Sequence, residues 1–584
     1  MKLFRILALI VIFGMLVSVA SAQGQIQLPK KPQLTGHFYR SGISEEPSEL
    51  LTPEKFLAAA EATAGNRPTG KNILVNRDFN FRPQNETSIA IDPHNDKHIV
   101  AGYNDYRLGW PIGGGFSTTF DGGKTWHDGT ITFPSLIAPA DFPGFAEPPA
   151  GTGDPAVVID NYGHAWYSTL GFSASFCENG LFAHYSPDGG VRWLRPVVNA
   201  TGSGGSYVID YWPYAYDCSV GLDKEYLAID NTGGAHDGRL YVTYTRFLLD
   251  ANGSGYYESP IYLAYSDDGG YTWVRVGEIN GSSAALCEYQ ADTTGGNGPG
   301  ATGPDSTPYD CDENQFSYPV VGSDGSLYVH FLNEQNESEW TAPGNFNDQI
   351  LVVKVDPDTF AVDGPNLVAG PLHNGLNNYP YSPFNGRQTV CNGGWRLNAA
   401  GNIAVGPDNE LFIVFADNRN GDIFPYPTFV SGTDGSCVSG LRTSTDVFIT
   451  KSVDGGTIWS PPLKITQDSL GFDNWFPWVT VSDNGWVWVV YYDRRVSGDN
   501  TLTDAWVALS KDGGITWAEA RASSISSNFF YGFLGSPSFI GDYNGIAAKG
   551  RFAYPFWTDA RVLGDTDVYL QIAEGNPKLK IRLR

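Results

Sequence analysis

One short pattern, Ser/Thr-x-Asp-x-Gly-x-x-Trp, occurs five times in this chain and constrains its fold more than any other feature. The copies start at Thr119, Ser186, Ser266, Ser452 and Ser510 and place Asp121, Asp188, Asp268, Asp454 and Asp512 at the third position. Each ends on a tryptophan: Trp126, Trp193, Trp273, Trp459 and Trp517. An apolar run precedes each copy, as in Ile261-Tyr262-Leu263-Ala264-Tyr265 and Trp506-Val507-Ala508-Leu509. A carboxylate at this spacing accepts backbone N–H bonds across a tight turn, and the glycine tolerates positive φ. The tryptophan then folds back to bury its ring between sheets. The pattern therefore predicts a β-hairpin made five times over. Composition agrees: 14% aromatic residues exclude a disordered chain, and 69 glycines with 37 prolines do not suit a helical bundle.

A second repeat precedes the first. Apolar hairpins are expected over 88–105, 156–170, 226–246, 318–332, 402–419, 478–495 and 545–561, which makes seven units. The fourth has 350–355 and an Asp356-Pro357-Asp358 turn where the pattern would be, and the seventh ends with 568–572. Residues 72–584 then give about 73 residues per unit, room for four strands and an insertion. The five-fold pattern resembles the Asp-box, or bacterial neuraminidase repeat, of sialidases and related β-propellers. That resemblance implies an all-β chain folded as a single propeller of four-stranded antiparallel blades. The unit count favours seven blades, six being the number in sialidase catalytic domains. In that family the box joins the third and fourth strands of a blade, away from the active site, so the five box aspartates are fold markers. The ring is expected to close through Ile73-Leu74-Val75, with 578–584 as the alternative.

Residues 1–22 have the form of a secretory signal: Lys2 and Arg5, an apolar run over 6–19, and the small-residue cleavage site Ala20-Ser21-Ala22. Residues 23–71 are expected to form an extended leader with one short helix, capped by Thr52 and stopped by Gly65. No membrane span is expected downstream. The protein is thus expected outside the cytoplasm, periplasmic or extracellular. Six cysteines suit an oxidising compartment. Of the 15 connectivities six cysteines allow, adjacent pairing is expected: Cys177 with Cys218, Cys287 with Cys311, and Cys391 with Cys437. A formal charge of −26 repels phosphates, so nucleic acid is not an expected partner. No cofactor is required. Calcium is a candidate ligand only at Asp292, Asp305, Asp310 and Asp312, in a Gly/Asp-rich insertion that as a solvated loop needs no metal.

In a propeller, residues just before the innermost strand and just after the second strand converge at one mouth of the central channel. The first group here includes Glu86, Asp154, Lys224, Glu225, Arg396, Asp542 and Tyr543. The second repeats Asp-x-Arg at Asp105/Arg107, Asp417/Arg419, Asp493/Arg495 and Asp559/Arg561, with Arg246 in another unit. These pairs serve equally well as structural ion pairs or as clamps for an anionic sugar. By resemblance to sialidases, Arg419, Arg495 and Arg561 are candidate clamps, with Arg246 and Asp542 as further substrate-binding candidates. Tyr543 is the candidate nucleophile, Glu225 its partner and Asp154 the acid/base. The match is incomplete, since Phe81-Arg82-Pro83 stands where the family has Arg-Ile-Pro. Three functions follow: a secreted sialidase-like exo-glycosidase acting on anionic glycans, sialylated ones among them; a non-catalytic propeller that binds glycan or protein; and a polysaccharide lyase. Fold alone does not choose among them.

Overall fold

The computed structural model describes residues 72–584 apart from 79–80, 109–112, 132–148, 174–176, 199–204, 213–217, 250–255, 288–308, 335–347, 371, 373–378, 426, 439 and 470. The expected signal segment and leader helix lie outside the described residues, as do Asp292 and Asp305.

The chain is a seven-bladed β-propeller. Each blade is an antiparallel sheet whose strands follow one another outward from the axis. Blades one to six span 84–131, 149–212, 220–278, 314–369, 402–464 and 474–521. Blade seven begins with Gly545–Lys549, Phe552–Asp559 and Asp567–Leu570. All seven expected hairpins are the first two strands of a blade. In blade two the outermost strand, Val208–Trp212, is reached only after Val197–Val198 has paired with Gly205–Ser206.

Ring closure uses both expected segments. Ile73–Leu74 pairs with Asp567–Leu570 through Ile73 opposite Leu570 and Leu74 opposite Tyr569. Farther along the same edge, Lys580–Leu583 pairs with Ala573–Asn576, which itself pairs with the start of Phe552–Asp559. Blade seven thus has a composite outer strand. Asn72 sits at its junction and is buried, donating to the Gln571 side chain (2.8 Å) and to the Ala522 carbonyl (2.9 Å). Gln571 in turn donates to the Arg584 carbonyl (2.8 Å).

The five boxes are alike in atomic detail. The starting hydroxyl donates to the box aspartate at 2.8–2.9 Å, and that aspartate accepts the backbone N–H four residues on from Thr125, Arg192, Thr272, Ile458 and Thr516. Two successive glycines follow every box aspartate, all with φ between +71° and +93°, a run that residues with a Cβ do not adopt. Antiparallel alternation puts these turns, between third and fourth strands, on the face opposite the starts of the innermost strands. Only Trp126 is fully buried; the other four box tryptophans are half-buried at the blade edges. In blade four, Asp356 turns the chain instead, accepting from the Thr359 N–H (2.8 Å) and hydroxyl (2.8 Å).

The core lies between blades. Val75, Ile99, Tyr103, Phe556, Val568 and Leu570 fill the gap between blades one and seven, and comparable apolar layers separate blades three, four, five and six. The three disulfides join Cys177 to Cys218, Cys287 to Cys311 and Cys391 to Cys437, and no cysteine is free.

Candidate active site

Five of the seven innermost strands carry the same irregularity near their start. The pairing slips in blades one, two, three, four and six, so that two residues oppose one on the second strand. The first of the two has positive φ in every case: Glu86 (54°), Asp154 (54°), Lys224 (58°), Phe316 (56°) and Phe476 (47°). None is glycine. A bulge re-aims a side chain, and left-handed backbone at residues with a Cβ is strained and gathers at functional sites. Here the bulges bring Glu86, Asp154, Lys224 and Phe316 together with Arg396 and Asp542 at one mouth.

Asp542 is the hub of that group. Arg396 Nε donates to its Oδ1 (2.7 Å), Arg396 Nη2 to its Oδ2 (2.5 Å) and Lys224 Nζ to Oδ2 (2.8 Å). Lys224 Nζ also lies 3.6 Å from Asp154, 3.8 Å from Asp223 and 5.3 Å from the centre of the Phe316 ring. Burial disfavours the Asp542 charge, but Arg396 and Lys224 outweigh it and hold this carboxyl low, at about 2. Burial likewise works against the Lys224 charge, and Asp223, Asp542 and Asp154 overcome it, raising the lysine.

The other acids have less support. Asp154 and Glu225 are both 1% exposed, and no oxygen of either carboxyl has a hydrogen-bond partner in the protein. Glu86 accepts from Asn104 (2.6 Å) on one oxygen while the other has no such partner. Burial, then the nearby Asp154, pushes Glu225 well above the usual carboxylate range, and burial with Asp154 and Asp542 does the same to Glu86. Both therefore hold a proton more readily than a solvated glutamate.

Asp154, Lys224, Glu225, Phe316, Asn398, Asp542 and Tyr543 line a narrow pocket at this mouth. Tyr226, Tyr318 and Trp478 form its aromatic wall, with ring centres 4.1 Å apart for Tyr226 and Tyr318 and 5.2 Å for Tyr318 and Trp478. Tyr543 packs on Trp478 at 5.6 Å, and its hydroxyl is 3.5 Å from the Pro155 carbonyl. Burial, then Glu86 and Asp154, pushes that hydroxyl up. The tyrosine and its expected partner Glu225 share the pocket without a hydrogen bond between them. The wall was missed in the sequence, although the signal is there: Tyr226, Tyr318 and Trp478 each stand two residues beyond a bulge residue.

The arginines expected as clamps lie elsewhere. Arg419 Nε donates to Asp417 (2.8 Å), Arg495 Nε to Asp493 (2.7 Å) and Arg561 Nε to Asp559 (2.8 Å), and none of the three lines the pocket. Arg107 binds Asp105 and Asp128, and Arg495 binds Asp493 and Glu519, so that in blades one and six the guanidinium ties the second strand to the fourth. Arg561 also donates to Asn72 (3.1 Å) at the ring closure and lies 3.8 Å over the Tyr569 ring. Arg246 stacks between Trp212 and Tyr262 at 5.5 and 5.2 Å. Of the calcium candidates, Asp310 accepts from Asn280 (3.1 Å) and Asp312 is buried. Among the described residues no group of three or more His, Cys, Asp or Glu side chains is arranged to hold a metal ion.

No family model matches this sequence, and no curated protein matches it. Solved structures similar in overall course include the Hadza microbial sialidase Hz136, at 11% identity over 82% of this chain and 73% of that one, TM-score 0.38. The GH93 alpha-L-arabinofuranosidase of Fusarium graminearum shares 10% identity over 86% of this chain and 97% of its own, TM-score 0.38. A PL25 ulvan lyase shares 10% identity over 88% and 97%, TM-score 0.42.

Proposed function

We propose that the protein is an exo-acting glycoside hydrolase working outside the cytoplasm, with its reaction in the mouth pocket. One observation carries this reading: two buried carboxyls, Asp154 and Glu225, share an aromatic-walled pocket with Tyr543 and have no hydrogen-bond partner in the protein. Buried acceptors without partners are expensive, and sites of chemistry are where such groups are kept. The pocket's rings offer the flat apolar faces that sugars stack on, and its carboxyls meet hydroxyls.

In the proposed reaction Tyr543 attacks the anomeric carbon as Glu225 takes the hydroxyl proton. Asp154 protonates the leaving oxygen, and the glycosidic bond breaks. Water then attacks the same carbon, Asp154 takes its proton, and Glu225 returns the first proton to Tyr543. Because burial favours the protonated form of Glu225, the step uses its ionised fraction, which grows as pH rises. The anionic, sialic-type substrate is the weaker part of the sequence-based expectation. A sugar carboxylate would meet Asp154 and Glu225, while Arg419, Arg495 and Arg561 are each held by an aspartate of their own. The same geometry weighs against a lyase that relies on those arginines.

A panel of aryl glycosides tests the proposal. Turnover is expected with at least one, lost in Tyr543→Phe, Glu225→Gln and Asp154→Asn while sugar binding persists. Loss in the two carboxyl variants but not in Tyr543→Phe would replace the tyrosine with a two-carboxylate mechanism. Binding without turnover by the unaltered protein would make this a binding propeller.

A further inference from the structure

We infer that the sugar accepted at the mouth carries a protonated amine, an inference that rests on the proposed hydrolase site. Charge at the mouth is unbalanced. Five acids, Glu86, Asp154, Asp223, Glu225 and Asp542, are at most 3% exposed, and the buried cations that face them are Lys224 and Arg396. Asp542 takes three charged donors from these two cations, whose contacts with the other acids are longer: Lys224 to Asp154 at 3.6 Å and to Asp223 at 3.8 Å, and Arg396 to Glu86 at 3.9 Å. Four oxygens on acids that line the pocket, both of Asp154 and both of Glu225, have no hydrogen-bond partner in the protein, and behind them one oxygen each of Glu86 and Asp223 faces a cation only at 3.8–3.9 Å.

The acids also lack donors. Ionised carboxylates only accept, so the ligand that satisfies several of them at once must be rich in donors and positive. An ammonium brings three N–H groups and a charge, whereas a hydroxyl brings one donor and adds an acceptor. Without a cation the cluster must hold protons instead, and burial pushes Glu86, Asp223 and Glu225 in that direction.

The walls agree. Tyr226, Tyr318, Trp478 and Tyr543 are in mutual contact beside the acids, and Lys224 Nζ already stands over the Phe316 ring. Aromatic faces attract cations, more so in a dry site. The lysine is also an internal precedent, a primary ammonium held among Asp154, Asp223 and Asp542. A metal ion is the other cation to weigh, but the described carboxyls form no metal-holding group, and the Lys224 ammonium lies in their midst.

Calorimetric titration and turnover would use matched glycosides of glucose, galactose and mannose, each as the 2-amino, 2-acetamido and 2-hydroxy sugar. In at least one configuration the amino sugar is expected to bind at least about tenfold more tightly than both matched forms. Glu86→Gln is expected to weaken amino-sugar binding more than hydroxy-sugar binding, so that the ratio shrinks. Sugars bound or cleaved without preference for the amine would overturn this inference and leave the hydrolase reading standing. Calcium binding that abolishes amine binding would assign the acids to a metal and overturn it too. No binding or turnover of any sugar would refute both.

Discussion

Arg494 shows what one residue does in this fold. It is fully buried, lies 5.1 Å from the centres of both the Trp395 and Trp475 rings, and donates to the carbonyls of Cys391 (2.6 Å) and Asn392 (2.9 Å). Its charge faces Asp473 at 3.8 Å. Arg494→Ala leaves two carbonyls and a carboxylate without their cation, and is expected to destabilise by about 3–5 kcal/mol in urea unfolding. The box tryptophans are graded in the same way. Trp126→Ala is expected to cost about 3–5 kcal/mol, and Trp273→Ala clearly less, because that ring is half-buried. Equal losses at the two positions would contradict the packing described here. Burial of Trp273 is where the motif alone leads too far: the pattern fixes the turn, whereas ring exposure depends on how far the neighbouring blade extends.

At the level of elements, the composite outer strand of blade seven is the structure's least redundant part. Val75 N–H donates to the Val568 carbonyl (3.0 Å), a bond that holds 73–75 on the edge. Val75→Pro removes that donor from a buried position and is expected to cost on the order of 1–3 kcal/mol, with proteolysis starting in blade seven. Cleavage starting in any other blade would count against this closure. The Cys391–Cys437 bridge closes a separation of 46 residues around the segment that Arg494 anchors. Its removal by Cys391→Ser with Cys437→Ser should lower stability by about 2–4 kcal/mol. An unchanged urea midpoint would show that Arg494 alone holds the insertion.

For the whole molecule, protonation links stability to pH. Burial raises Asp105 and Asp493 to about 7 and Asp223 to about 8, and lifts Glu86 and Glu225 as well. The folded protein thus keeps protons that the unfolded chain releases above about pH 4, so this contribution is full at low pH and lost as pH rises through the folded values. Burial lowers His184 to about 3 and His330 to about 4, an opposite contribution that is complete above about pH 6.5 and fades on acidification. Between about pH 7 and 8.5 mainly the acids change, and unfolding free energy is expected to fall across that window. A rise would show that the buried acids are ionised.

The sequence by itself determined the sheets, their number and their order. Five boxes, seven hairpins and adjacent cysteines are local signals, because a turn, a strand period and a short loop are each set within a few residues. It also singled out most of the mouth, since Glu86, Asp154, Lys224 and Glu225 lie near the starts of innermost strands and Arg396, Asp542 and Tyr543 just before them. Only the tertiary structure decided how these groups are shared. Asp542 and Arg396 are 146 positions apart, Lys224 and Asp542 318, and their pairing consumes the charges that the chain order leaves open. The same is true of Arg419, Arg495 and Arg561: an Asp-x-Arg repeat is silent on which way its guanidinium turns. Each guanidinium turned onto the aspartate two residues before it, whose carboxylate also accepts the arginine's own N–H, while the carboxyls of Asp154 and Glu225 were left to line the pocket, because which groups meet across the mouth follows from packing between blades and not from spacing along the chain.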